Sequence, residues 1–394
     1  MSETCVIIGA GQAGAQAAHS LRQGGYEGGI VMLGEEAHPP YQRPPLSKKY
    51  LSGEFEAERL WLRPEEFYEA NNIDLRVSTP VTAIDREARE VVCANGERIA
   101  YDTLLIATGT RPRNLPLPGF DLPGVLPLRT LADVDRLREV LEKPCRIAIV
   151  GGGYIGLEVA AVARGLGHEV TVLESQERVL NRVVAPELSA FFQKLHSGHG
   201  VDIRYGVSVE AVEGEGKAEA VRLGSDERID CDLVLVAVGA VPNVELAQAA
   251  GLEVDNGICV DASCRTSDPA IYAAGDCTSF PAARYGRNIR LESVQNAIDQ
   301  AKAAASAILG KEVTYDPVPW FWSDQYEVKL QIAGLSQMHD ETKLVGDPDS
   351  GSFYIAYLRD GRLLSVDSVS HPRSHMMARR SLGEEWRDDL LPPA

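Results

Sequence analysis

Two copies of one glycine pattern, each set between an apolar strand and a helix, constrain this chain more than any other feature. The first, Gly9-Ala-Gly11-Gln-Ala-Gly14, follows the apolar run 5–8 directly. Small and apolar residues at Ala13, Ala17, Ala18 and Leu21 then keep helical spacing, Gly24 and Gly25 stop the helix, and a strand over 30–33 ends in Gly34-Glu35-Glu36. The second copy, Gly151-Gly-Gly153-Tyr-Ile-Gly156, follows a strand over 146–150 and leads into a helix to about Leu166 and a strand over 170–173 ending at Glu174. In such a unit the first glycine permits the tight turn, the second lets the backbone approach a pyrophosphate, and the third lets helix pack on strand. The helix N-terminus adds unpaired N–H groups and the positive end of a dipole. One glycine pattern is weak evidence. Two in full context predict an α/β fold with two Rossmann-like dinucleotide-binding domains, one nucleotide held permanently and one exchanging.

Between and after these units the pattern changes. Asn95-Gly96 is a hairpin signal between short strands. Apolar strands over 104–109 and 233–239 each break at a glycine, Gly109 after Thr108 and Gly239, and 271–276 ends in Gly275-Asp276. An Ala-rich helix is expected from Val294 to about Leu309. From Pro319 onward Trp320-Phe-Trp322 and alternating strands predict a separate C-terminal α+β domain. The expected boundaries are 1–113 with 242–317 for the first nucleotide domain, 114–241 for the second, and 318–394 for the last.

Composition narrows the function. With 39 basic and 57 acidic residues the net charge is −18, which opposes nucleic-acid and anionic-membrane binding. Seven cysteines include no CxxC pair, and Pro372 between His371 and His375 argues against the two sharing a helix face, so no metal site is expected. A start at Met1 followed at once by a strand leaves no room for a signal peptide, and no apolar run would span a bilayer, so a cytoplasmic protein is expected.

The glycine pairs, Thr108-Gly109 and Gly275-Asp276 resemble the two-dinucleotide-binding flavoproteins that include glutathione reductase. Tyr41-Gln-Arg43-Pro-Pro-Leu-Ser-Lys48, Glu292-Ser-Val294-Gln295-Asn296 and Trp320-Phe-Trp322-Ser-Asp324 are similar to the NADH-dependent ferredoxin reductases of bacterial oxygenase systems. The resemblance runs from Cys5 to Asp367 and is loose from Ser368. It implies a glutathione-reductase-like arrangement in which the first fingerprint binds FAD and the second NADH.

It also implies site residues. Asp276 would hydrogen-bond the ribityl–pyrophosphate part of FAD, and Glu35 the adenosine ribose, with Glu36 its rival. Lys48 and Glu158 would form an ion pair beside the flavin, with Arg43 supporting the same cofactor. Glu292, with Gln295 and Asn296, would sit by the nicotinamide and the flavin pyrimidine, and Val294 and Gly239 would be cofactor contacts. Of Trp320 and Trp322 one would cover the flavin or line the electron exit while the other packs in a core, on the expectation that strand alternation sends them to opposite faces.

The resulting expectation is hydride transfer from NADH to FAD, followed by single-electron transfer to a small iron–sulfur ferredoxin, by a monomer or weak homodimer. The segment 38–50 lacks the cysteine that disulfide reductases and peroxidase-type oxidases of this fold need. Rubredoxin, a quinone or monodehydroascorbate remain as acceptors, as does a signalling role like that of apoptosis-inducing-factor-like proteins. Glu174 favours NADH over NADPH, unless Arg178 turns inward to offset it. Arg63 and Lys302, with Trp320, are candidate docking residues for an acidic ferredoxin; Arg284, Arg287 and Arg290 are further basic candidates.

Overall fold

The computed structural model describes residues 3–393. Its chain divides into two compact units, one of 1–42, 58–111 and 241–319, the other of 43–57, 112–240 and 320–394.

In the first unit five parallel strands lie in the order Ile271–Ala273, Thr103–Ile106, Thr4–Ile8, Gly29–Leu33, Ile73–Arg76. Thr4–Ile8 is almost wholly apolar and buried on both faces, as a central parallel strand must be. The chain turns outward on either side of it, so the carboxyl end of this strand is a switch point, where open α/β sheets place their ligands. The first fingerprint helix, Gln12–Gln23, starts there and buries Ala13, Ala15, Ala17, Ala18 and Leu21. It packs against Val294–Ile308, a long helix whose N-terminus is capped by Ser293, the side chain accepting the Asn296 amide at 3.1 Å.

The second unit repeats the plan. Its parallel sheet runs Asp202–Tyr205, Glu169–Glu174, Arg146–Val150, Leu233–Val236, Val125–Leu126. The second fingerprint helix, Tyr154–Gly165, follows the central strand. The expected strands and helices around both fingerprints are therefore present, with ends displaced by a residue or so.

The C-terminal segment forms the expected antiparallel sheet with a helix, and by its contacts it groups with the second nucleotide-binding sheet. Its antiparallel sheet, in the order Trp320–Gln325, Val328–Gly334, Arg362–Val369, Ser352–Arg359, Glu341–Asp347, shares one core with the neighbouring helices. Leu330, Phe353, Ile355, Tyr357 and Val369 pack against Leu157, Val179, Leu180, Leu188 and Phe192. A sheet with one face so apolar needs that cover. Residues 43–57, expected in the first nucleotide domain, also group with this unit, because the 3₁₀ turn Pro44–Ser47 lies against the Tyr154–Gly165 helix.

One local expectation is corrected. Trp320 and Trp322 do not take opposite faces: alternation has a period of two, so residues two apart share a face, and their ring centroids lie 5.7 Å apart. Phe321 points the other way, onto Tyr154 at 4.8 Å. Pro372 leaves His371 outside the helix Pro372–Ser381, as its N-cap, and His375 inside it. It opens that helix at the first position, where a missing N–H costs nothing. Among the described residues no helix is long and apolar enough to cross a membrane.

Candidate active site

The two fingerprints show which glycines the protein itself needs. Gly9 and Gly151 have φ of +113° and +107°, and a Cβ on either would run into a carbonyl oxygen, that of Ala107 or Ala237. Gly14 and Gly156 would collide with the Gly9 and Gly151 carbonyls. At the middle positions, Gly11 and Gly153, a Cβ would meet nothing within 4 Å. Intramolecular packing therefore accounts for the outer glycines and leaves the middle ones unexplained. Open space at a helix N-terminus, kept clear of side chain, fits the pyrophosphate of a dinucleotide in both units.

At the second fingerprint Glu174 ends its strand and accepts the Gly152 amide at 2.8 Å and the Gln176 amide at 2.8 Å, one on each carboxylate oxygen. The carboxylate is thus fixed beside the glycine loop, with lone pairs left for ribose hydroxyls. Arg178 is not turned toward it: its guanidinium donates to the Val184 and Asn181 carbonyls at 2.9 and 3.0 Å. At the first fingerprint, Glu36 accepts the Tyr41 hydroxyl at 2.5 Å, whereas Glu35 is exposed. The register also differs: Val150 pairs with Leu173 and Ile8 with Leu33, so the residue in Glu174's place is Gly34.

Thr108, Gly109, Gly275 and Asp276 all follow the carboxyl ends of strands in the first sheet. Two residues that sequence reasoning missed hold them. Asn243 donates to the Thr108 carbonyl at 2.9 Å, while the Thr108 hydroxyl donates to the Asn243 carbonyl at 2.7 Å and the Asn243 amide to Gly109. The buried Gln300 accepts the Gly275 amide and the Thr278 hydroxyl, each at 2.8 Å. Neither pattern is visible in sequence, since each partner is remote or sits in an Ala-rich helix. Glu292 is paired with Arg290 at 2.5 Å, and Val294 is the first residue of the long helix. In the second unit Gly239 accepts the Arg113 amide at 2.9 Å, and Arg43 donates to the Arg129 carbonyl at 2.7 Å.

Lys48 and Glu158 meet in the second unit. The Lys48 ammonium lies 2.6 Å from Glu158 Oε2, with side chains 17% and 5% exposed, and also reaches the Pro44 carbonyl at 3.1 Å. The prolines of the 3₁₀ turn pre-set its backbone, and the turn places Ser47 on the same oxygen at 2.5 Å. Ser323, on the other side, donates to Glu158 Oε1 at 2.7 Å. The carboxylate therefore has three donors from two segments. That satisfaction is what makes a buried ion pair tolerable, since desolvation otherwise outweighs attraction. The resemblance singled out the pair but neither serine, although Ser47 adjoins Lys48 in the motif.

The tryptophan pair has a basic neighbour. The Arg379 guanidinium lies 5.0 Å from the Trp320 ring centre, and the His375 ring 6.0 Å away. The helix Pro372–Ser381 has no acidic residue and leaves Arg373, Met376, Met377, Arg379 and Arg380 exposed. All seven cysteines are free, and five are buried. Cys277, after Asp276, is fully buried, and burial pushes its thiol up from the ordinary range.

Paired cradles of this kind, with a completed acid beside the second, are matched over residues 3–301 by the profile of the pyridine nucleotide-disulphide oxidoreductases. The chain belongs to that family. It is an oxidoreductase. A second profile, reductase C-terminal, matches 320–390, so the likeness continues past Asp367, where the sequence reading had it fade. The chain is 48% identical to a probable ferredoxin reductase of Castellaniella defragrans, over 100% of this chain and 97% of that protein. It is 45% identical to rhodocoxin reductase of Rhodococcus erythropolis, over 96% and 89%. In structure it is similar to the reductase in a covalent putidaredoxin reductase–putidaredoxin complex, with a TM-score of 0.94 and 42% identity over 97% of this chain and 94% of that one.

Proposed function

We propose that this protein is an FAD-containing ferredoxin reductase that passes electrons from NADH to a small iron–sulfur ferredoxin serving an oxygenase. The observation that carries the reading is the partnered ion pair between Lys48 and the buried Glu158 of the second fingerprint helix, in a chain with two dinucleotide cradles and seven free cysteines. Bound FAD would supply the conversion of a two-electron hydride donor into single electrons.

The chain's own residues have distinct tasks in this reading. Gly11 and its helix N-terminus hold the FAD pyrophosphate, Asp276 and Glu35 its sugar groups, and Gly153 and Glu174 the NADH. Lys48 presents a cation where the flavin gains negative charge on reduction. Glu158 keeps that cation compensated and in place, so that it is not left unpaired in a low-dielectric site. Trp322 borders the flavin. Trp320 and the basic helix Pro372–Ser381 form the face toward an acidic partner. We place the protein in the cytoplasm, the compartment that supplies NADH and keeps thiols reduced, as seven free cysteines require.

The test is direct. Purified protein should be yellow, should reduce ferricyanide and ferredoxin with NADH, and should keep both activities after alkylation of accessible cysteines. Loss of NADH–ferricyanide turnover on alkylation, with FAD retained, would refute it. Rubredoxin or a quinone reduced faster than any ferredoxin tried would keep the flavoprotein and change the acceptor.

A further inference from the structure

We propose that His196, Gln325 and Ser323 form a directed hydrogen-bond chain that orients the Glu158 carboxylate, making Ser323 a positioning residue for the Lys48–Glu158 pair. Four side chains from three elements make it: His196 on the helix Pro186–Gly198, Gln325 and Ser323 on the strand Trp320–Gln325, and Glu158 on the helix Tyr154–Gly165. They are 0%, 1%, 0% and 4% exposed, so water does not substitute for any link. His196 Nε2 lies 2.7 Å from Gln325 Oε1, Gln325 Nε2 lies 3.2 Å from Ser323 Oγ, and Ser323 Oγ lies 2.7 Å from Glu158 Oε1.

The direction follows from how many protons each group has. A carboxylate only accepts, so the single Ser323 proton points at Glu158. The Ser323 oxygen is then an acceptor and takes the Gln325 N–H. That choice turns the Gln325 carbonyl oxygen to His196, which must present Nε2–H. Its Nδ1 is then bare, and Nδ1 is the ring nitrogen with no partner. A neutral ring is needed, and burial, with a lesser contribution from the neighbouring His199, lowers His196 to about 4. Ser323 and Gln325 are two apart, so one strand face carries both links.

The consequence for the pair is geometric. Ser323 makes the one hydrogen bond that Glu158 Oε1 has among the described residues, while Lys48 and Ser47 share Oε2. With Oε1 anchored, the carboxylate plane cannot rotate to offer both oxygens to Lys48, and the ammonium is held at one point. Without the anchor the pair persists but its direction is lost. A positioning error of about 1 Å costs up to ~100-fold in rate.

This inference rests on the proposed role of the Lys48–Glu158 pair, and the experiment separates the two. Reduction of bound FAD by NADH is followed by rapid mixing in Ser323→Ala, Ser323→Thr, Gln325→Leu and Lys48→Met. The expected result is a rate at saturating NADH about tenfold lower in Ser323→Ala, a half-saturating NADH concentration within about twofold, and recovery in Ser323→Thr. Nitrogen-15 NMR of the histidine rings supplies a readout independent of turnover. His196 should be a single Nε2–H tautomer in the unsubstituted protein and a mixture in Gln325→Leu, whether or not FAD is bound. Ser323→Ala matching the unsubstituted rate while Lys48→Met is slow would overturn the chain alone. Lys48→Met at full rate would overturn the role of the pair. An Nδ1–H tautomer at His196 would overturn the direction assigned here.

Discussion

Gly152 donates its backbone amide to the Glu174 carboxylate across 2.8 Å, so the glycine loop and the acid 22 residues later form one closed unit. A 2′-phosphate placed about 4 Å from that carboxylate would meet a repulsion of roughly 4 kcal/mol per charge at an effective dielectric near 20. Arg178, committed to two carbonyls, does not offset it. NADH should be preferred over NADPH by about 100-fold in kcat/KM, and Glu174→Ala should narrow that ratio at least tenfold, mainly by weakening NADH binding. Comparable efficiencies with both coenzymes would remove Glu174 from the ribose site.

The middle glycines offer a cleaner test of cofactor contact than the outer ones. Gly11→Ala meets no protein atom within 4 Å and should leave the apoprotein's Tm within about 2 °C, while FAD affinity falls at least tenfold. Gly14→Ala places a methyl against the Gly9 carbonyl and should lower stability with or without FAD. Equal FAD binding in Gly11→Ala and the unsubstituted protein would move the pyrophosphate elsewhere.

Docking has to overcome a net charge of −18 against a commonly acidic ferredoxin. Charges more than a screening length of roughly 8 Å away are largely damped at physiological salt, so local charge prevails at the contact. Arg379→Glu with Arg380→Glu should slow ferredoxin reduction several-fold, leave NADH–ferricyanide turnover unchanged, and weaken the fall in ferredoxin rate with salt. Lys302 lies 3.9 Å from Asp299, and the Arg63 guanidinium lies 5.6 Å from the Phe67 ring centre. Lys302→Glu and Arg63→Glu test those two candidates in the same assay. An effect confined to these two would place docking away from the C-terminal helix.

Stability should depend on pH through three buried groups. His196 and His375 are both lowered to about 4 by burial, so their contribution is present above about 6.5 and lost as pH falls toward 4. Asp367, whose carboxylate accepts the Tyr357 hydroxyl at 2.5 Å, is raised to about 7 by burial. Its contribution is present at low pH and lost as pH rises through 7. Two histidines outweigh one carboxyl below 6.5, which predicts a maximum in Tm near that pH. Asp367→Asn should raise Tm at pH 8, where ionising the buried acid costs up to about 4 kcal/mol, less at pH 5, and hardly at all near pH 3.5. An equal change at pH 8 and pH 3.5 would show that Asp367 does not titrate between them.

What could be read from the sequence was set by short-range physics. A strand, a glycine turn and a helix lie within about 25 residues of each other, so both nucleotide-binding units were legible, although the carbonyls that Gly9 and Gly151 must clear belong to the distant Ala107 and Ala237. Lys48 and Glu158 were legible only through the resemblance, because 110 residues separate them. The error came where a local rule was applied without its period: Trp320 and Trp322 share a face because alternation repeats every two residues. The two serine partners of Glu158 came from the tertiary structure alone. Ser323 is 165 residues away on a strand of another sheet, and only the burial of that sheet against the fingerprint helix brings its hydroxyl to the carboxylate and shuts out the water that would otherwise satisfy both.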